Sequence, residues 1–193
     1  ELDNPYGRSK KDSENSLREL FDETENPVQI FRLPNVFGKW SRPNYNSVVS
    51  TFCFNIANNL PIKINSESKV LNLIYIDDLI SFFLQSLYDK EAGFLMKKIK
   101  PDYEITIKKL AEIIFTFKEI RETLVIPDVG KGLVRALYST YLSYLTPNDF
   151  VYDVPSNVDK RGVFVEMIKT HECGQISFFT AHPGVTRGCL LYT

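Results

Sequence analysis

The run Val28 to Leu33 (V-Q-I-F-R-L) narrows the possible folds more than any other stretch of this chain. It is short, mostly apolar and closed at both ends by proline, Pro27 and Pro34, which reads as a strand and not as a buried helix. From Tyr6 to about Glu25 the preceding residues read as a helix, with Leu17, Leu20 and Phe21 as an apolar stripe among charged neighbours, and Asn26-Pro27 stops it. Pro34-Asn35-Val36-Phe37-Gly38 then forms a loop at the strand's carboxyl end. Helix, strand and loop in this order predict part of a doubly wound α/β sheet, where ligands sit just beyond the carboxyl ends of the strands. Asn35 stands there with an amide that both donates and accepts hydrogen bonds. Asn35 and Gly38 equally serve as turn formers, a role for which loops select both residue types.

The loop continues through Trp40-Ser41-Arg42-Pro43-Asn44-Tyr45-Asn46, dense in aromatic and hydrogen-bonding groups. Arg42 offers a bidentate clamp for phosphate or carboxylate, and reads equally as a solvated surface arginine. Ser47 to Leu60 reads as a helix with Val48, Val49, Phe52, Ile56 and Leu60 on one side. Ile62-Lys63-Ile64 and Val70 to Ile76 read as strands, and Asp77-Asp78 as the cap of a helix over Leu79 to Tyr88. Glu104-Ile105 ends a further strand. Thr106 then caps an amphipathic helix from Ile107 to about Phe117, with Leu110, Ile113, Ile114 and Phe117 as its buried face. Leu133, Leu137, Tyr141 and Tyr144 recur at helical spacing between about Gly132 and Leu145, a stripe that fits core or an inter-domain contact better than a cofactor site. Thr146-Pro147-Asn148-Asp149 breaks the pattern. Short alternating segments follow, at Val163-Phe164-Val165 and Gln175 to Phe179, with Pro183-Gly184 as a turn, and read as the start of an all-β domain.

Near the first residue stands Asn4-Pro5-Tyr6-Gly7-Arg8-Ser9-Lys10. Asn4 and Pro5 are suited to the N-cap and N1 positions of a helix. Tyr6 and Lys10, four residues apart, then share one helical face. A cation beside a phenol favours the phenolate and draws its pKa from near ~10 towards the working pH, which makes the pair an acid/base device for an oxygen at a carbon undergoing hydride transfer. Chance alone supplies about one such pair in a chain with ten tyrosines, and helices carry them routinely.

A net charge of −1 over 193 residues provides no basic block for a phosphate backbone, so nucleic acid is not an expected partner. No apolar run approaches the ~18 residues of a membrane span and no secretory signal opens the chain. Cys53, Cys173 and Cys189 are odd in number and far apart, which fits free thiols in a reducing cytoplasm. His171 and His182 are the only histidines, leaving little material for a metal site. The first residue is Glu and the first helix begins within a few residues of it, so the chain is expected to be a piece of a longer protein.

Taken in order, Y-G-R-S-K, R-L-P-N-V-F-G and L-I-Y-I-D-D-L resemble the back half of an extended short-chain dehydrogenase/reductase, a Rossmann-like superfamily acting mostly on nucleotide sugars. The resemblance implies that Tyr6 and Lys10 carry the acid/base chemistry and meet the cofactor, Lys10 at the nicotinamide ribose. It implies that Leu33 and Pro34 line the nicotinamide and that Asn35 meets the sugar nucleotide. Many members carry Arg where this chain has Leu71 and use it on the diphosphate, which shifts weight onto Arg42. The longer stretch R-L-P-N-V-F-G-K-W-S-R-P-N-Y-N-S-V-V-S-T-F-C, with L-N-L-I-Y-I-D-D and L-Y-S-T-Y-L-S-Y-L, resembles the bifunctional capsular-polysaccharide reductases that make UDP-N-acetyl-L-fucosamine. In those a cupin follows the reductase, and D-K-R-G-V-F-V-E, G-Q-I-S and H-P-G-V-T-R-G look like its first strands.

The resemblance implies residues 1–147 as the C-terminal, substrate-binding portion of the reductase and 148–193 as an incomplete jelly-roll cupin. It implies NADPH as cofactor, a 4-keto UDP-amino-deoxysugar as substrate, C3 epimerisation in the cupin, and a homodimer paired through cupins. A metal ion belongs to the complete cupin. Its histidine cluster should follow T-R-G, where this chain reads Cys189-Leu190-Leu191-Tyr192-Thr193, so truncation or a frameshift is expected. A nucleotide-sugar 4-epimerase or dehydratase using the same dyad is the alternative enzyme. A further alternative is a non-catalytic fragment, since the Gly-rich turn that receives the pyrophosphate is expected before residue 1.

Overall fold

The computed structural model describes residues 4–89 and 91–186. In chain order the elements are α1 (Pro5–Thr24), β1 (Val28–Arg32), β2 (Asn35–Phe37), α2 (Val48–Ala57), β3 (Val70–Tyr75), α3 (Ile76–Tyr88), β4 (Phe94–Lys98) and β5 (Tyr103–Thr106). There follow α4 (Ile107–Thr123), α5 (Gly132–Leu142), a 3-10 turn (Pro147–Phe150), β6 (Ser156–Asp159), β7 (Gly162–Lys169) and β8 (Gln175–Phe179). They group into two compact units, one of residues up to Phe37 with Leu71–Ile105, the other of Gly38–Val70 with the residues from Thr106 onward.

In the first unit β1 runs parallel to β4, Val28 opposite Phe94 and Arg32 opposite Lys98. β2 runs parallel to β3, Asn35 opposite Leu73 and Phe37 opposite Tyr75, and β3 pairs with β5 on its other side. Parallel pairing needs long crossovers, so the α/β class expected of the sequence is what forms. Ile74, Leu79 and Ile99 centre one core, with Phe31, Val36, Ile76 and Phe83 packed against them. The α1 stripe differs from expectation: none of that helix's residues is buried, and Leu17 and Leu20 are exposed. Phe21 nonetheless touches Phe94, ring centroids 6.0 Å apart, and the Arg18 guanidinium lies 3.7 Å from the same ring.

In the second unit α2, α4 and α5 pack together. Val49, Phe52, Cys53 and Ile56 of α2 are buried with Leu110, Ile114 and Phe117 of α4 and Leu137 and Tyr141 of α5. Phe117 sits 5.1 Å from the Tyr138 ring and 5.7 Å from that of Tyr141, so the tyrosine stripe is core, as expected. β6, β7 and β8 form an antiparallel sheet. Gly162 opens β7 at φ +138°, and a Cβ there would lie 2.2 Å from the Thr180 carbonyl oxygen, so no other residue fits.

Several local readings are corrected. Asn35–Phe37 is a short strand, because its backbone groups find partners on β3. Ile62–Ile64 forms no strand. Asp77 and Asp78 lie in the first turn of α3, whose N-cap is Tyr75, and act there through the helix dipole. The Arg187-Gly188 end of the cupin-like motif and Cys189–Thr193 lie outside the described residues.

Candidate active site

α1 is opened by the cap its sequence provides. Asn4 is extended (φ −137°, ψ 169°), its Oδ1 accepts the Gly7 N–H at 2.8 Å, and its carbonyl accepts the Arg8 N–H at 2.9 Å. Pro5 occupies N1, where a missing N–H costs nothing. Tyr6 and Lys10 are thereby fixed on one face of the first turns. Lys10 Nζ lies 5.5 Å from the centroid of the Tyr6 ring, within cation–π range. Tyr6 is 69% exposed and Lys10 is exposed, so both polar ends are open to a ligand.

Leu33, Pro34 and Asn35 are consecutive at the β1–β2 junction, the first and last exposed and Pro34 half-buried. Asn35 Nδ2 donates to the Asn72 carbonyl at 3.1 Å, while its backbone lies in register with Leu73. Asn35 is a strand residue with its amide oriented by β3, so the turn-former reading does not apply to it, whereas Gly38 follows the strand and leads directly into the turn at Lys39 and Trp40. Leu71 is 8% exposed within β3. A guanidinium at that depth would need to be desolvated, so this position supplies core and not a phosphate clamp.

Arg42, in the other unit, is exposed on the loop from Gly38 to Asn46 with its guanidinium 5.3 Å from the Tyr45 ring centroid. Two groups beneath this loop escape a sequence reading. The Tyr144 hydroxyl donates to the Ser41 carbonyl at 2.5 Å, and Ser143 Oγ accepts the Trp40 N–H at 3.2 Å. Their positions 103 residues along the chain leave no local signal; Tyr144 is visible in the sequence only as part of an apolar stripe.

Tyr6 and Lys10 offer an exposed phenol and ammonium, groups whose chemistry suits ribose hydroxyls, and Leu33 and Pro34 offer apolar surface of the kind that packs against a nicotinamide ring. A metal has no comparable fit, since among the described residues no three His, Cys, Asp or Glu side chains are grouped to hold one. No helix of the described residues is long and apolar enough to cross a membrane.

The family model of the NAD dependent epimerase/dehydratase family matches residues 2–99, half of the chain. The chain belongs to that family. A second model, the polysaccharide biosynthesis C-terminal domain, matches residues 157–191 of this epimerase/dehydratase family member. The UDP-2-acetamido-2,6-beta-L-arabino-hexul-4-ose reductase of Pseudomonas aeruginosa is 53% identical over 188 residues, 97% of this chain and 50% of the relative. The chain thus spans about half the length of the curated relative it matches. Among solved structures, the capsular polysaccharide assembling protein CapF from Staphylococcus aureus superposes with a TM-score of 0.86 at 41% identity, over 97% of this chain and 51% of that one. A Thermus thermophilus UDP-glucose 4-epimerase in complex with NAD shares the fold alone, at TM-score 0.58 and 15% identity over 75% of this chain and 55% of that one.

Proposed function

We propose that the protein carrying this chain is a cytoplasmic, NADPH-dependent reductase of a 4-keto UDP-amino-deoxysugar, in the synthesis of UDP-N-acetyl-L-fucosamine for capsular polysaccharide. The observation that carries the reading is the 53% identity, across 97% of the chain, to a protein named as a UDP-hexulose reductase. In this reading residues 1–147 are the C-terminal portion of the reductase domain. Residues 148–193 begin a cupin that epimerises C3 in its complete, metal-binding and homodimeric form.

Bound NADPH would supply hydride to the ketone carbon. Tyr6 would give its proton to the oxygen that becomes the alcohol, and Lys10 would hold the nicotinamide ribose through its ammonium donors. Leu33 and Pro34 would pack against the nicotinamide. Asn35, its amide already oriented by the Asn72 carbonyl, would hydrogen-bond the sugar nucleotide. Arg42 would pair with the diphosphate.

The test is a product assay on the intact protein with NADPH and the keto sugar. NADPH loss equal to substrate consumed supports the reductase. Turnover without net cofactor loss supports the second reading, a nucleotide-sugar 4-epimerase or dehydratase on the same dyad, for which the broad family match is weak support. The chain by itself is proposed not to hold NADPH; micromolar binding in a calorimetric titration would overturn that.

A further inference from the structure

The loop from Gly38 to Asn46 is held in a shape that its own sequence disfavours. Trp40 has φ +60° and Asn44 φ +53°, both in the left-handed region. Asparagine visits that region readily, whereas a bulky aromatic does so only when its surroundings enforce it. The enforcement at Trp40 comes from just beyond the end of α5. Ser143 Oγ accepts the Trp40 N–H at 3.2 Å and in turn donates to the Thr140 carbonyl at 2.7 Å. One residue on, the Tyr144 hydroxyl donates to the Ser41 carbonyl at 2.5 Å, with its ring edge-on to Phe54 of α2 at 6.0 Å. Burial pushes the Tyr144 phenol above its ordinary value, opposed in part by its hydrogen bond to Ser41, so it remains a donor at neutral pH. At the loop's other end Thr51 Oγ1 accepts the Asn44 N–H at 3.0 Å, and Asn44 Nδ2 donates to Asn55 Oδ1 at 3.4 Å.

Between these two anchors the exposed groups are of two kinds. Trp40 is 79% and Tyr45 74% exposed, unusual for large aromatics on an ordered loop. A cation stands by each: Lys39 Nζ is 5.7 Å from the Trp40 ring centroid and the Arg42 guanidinium 5.3 Å from that of Tyr45. Flat aromatic faces with adjacent cations suit a ligand that combines a nucleobase with phosphates. Strained backbone held by half-buried hydroxyls beneath an exposed binding face is the arrangement of a preorganised clamp.

We propose that Ser143 and Tyr144 are positioning residues, holding Trp40 and Arg42 in a preset clamp for a nucleoside diphosphate, base on Trp40 and diphosphate on Arg42. This rests on the nucleotide-sugar reading above for its ligand, but its mechanical half stands apart from it.

Two measurements separate them. Trp40 is the sole tryptophan of this chain, so in the intact protein, with any tryptophan outside this chain replaced by phenylalanine, its fluorescence anisotropy reports the loop without any ligand. Tyr144→Phe keeps the ring and deletes the hydroxyl that donates to Ser41; Ser143→Ala deletes the acceptor of the Trp40 N–H. Each is expected to lower Trp40 anisotropy, with Ser143→Thr restoring it. In the intact protein, UDP titration should show each deletion weakening affinity about three- to tenfold, near what one lost hydrogen bond implies. The KM for the UDP-sugar should rise by the same factor with kcat at saturation unchanged, whereas a merely structural role would lower thermal stability without this split. Unchanged Trp40 anisotropy in both deletion variants overturns the positioning role. Lowered anisotropy with unchanged UDP affinity overturns the clamp while leaving the reductase reading intact. A wild-type protein that binds no UDP overturns the nucleotide-sugar reading itself, and the clamp with it.

Discussion

Glu14 and Arg32 meet fork to fork: Arg32 Nε donates to Glu14 Oε1 at 3.0 Å and Arg32 Nη2 to Oε2 at 2.6 Å. The pair fastens the helix that carries Tyr6 and Lys10 to β1, and it matters because that helix buries none of its residues. The Arg32 hydrogen bond holds the Glu14 carboxyl below its ordinary value, against a smaller opposing effect of burial and with the Arg32 charge adding to it. Replacing Glu14 by Gln is expected to weaken docking of α1 by less than about 1 kcal/mol, since the pair is partly solvated. The readout is faster hydrogen exchange at the α1 amides. A depressed carboxylate pKa stabilises the fold above the ordinary value near 4.5 and loses that contribution as pH falls through the folded value. Wild type and Glu14→Gln should therefore differ at neutral pH and converge in acid; an equal difference at both ends would exclude the charge as the cause.

Asp102 has the opposite sign. Burial pushes its carboxyl above the ordinary 3.8, and the negative charge of Asp78 adds to the effect. The folded state then binds the proton more tightly than the unfolded one, so stability is fully present below 3.8 and declines as pH rises through the folded value. Asp102→Asn should leave the backbone bond from the Asp102 N–H to the Leu73 carbonyl in place. It is expected to stabilise the protein by roughly 0.3 kcal/mol at neutral pH, a small figure because solvent screens the site. Denaturant midpoints at pH 7 and pH 3 measure it, and a destabilised Asn variant at pH 7 would contradict it.

The cysteines should differ sharply in reactivity. Cys53 is wholly buried in α2 and burial drives its thiol far above the ordinary value, whereas Cys173 is exposed. The thiolate is the reactive form, so iodoacetamide at pH 8 should alkylate Cys173 in the native protein and leave Cys53 untouched until unfolding. Peptide mapping by mass spectrometry distinguishes them from Cys189. Equal native labelling of Cys53 and Cys173 would mean that the packing of α2 against α4 and α5 is looser than described.

Much of this was legible in the sequence, for local reasons. Asn4 and Pro5 start α1, Thr106 caps α4, and the Leu110, Ile114 and Phe117 stripe marks a buried face, because capping and helical spacing act over a few residues. The strands read less well. β4 (F-L-M-K-K) and β6 (S-N-V-D) escaped the pattern because their pairing with β1 and β7, not their composition, makes them strands. Asn35 looked like a loop residue for the same reason. At the site, Tyr6 and Lys10 are visible as a spacing within one helix. The hold of Ser143 and Tyr144 on Trp40 and Ser41 joins segments far apart in the chain, and no spacing rule reaches it.

Tyr6 is proposed as the proton donor to the reduced ketone. Its most direct test is Tyr6→Phe in the intact protein, following NADPH oxidation in the presence of the 4-keto UDP-sugar. The exchange keeps the ring beside Lys10 and removes only the hydroxyl. A fall in kcat of about 100-fold or more, with affinity for NADPH and UDP within a few-fold of wild type, is the predicted result. A Tyr6→Phe protein that oxidises NADPH at the wild-type rate would contradict the account.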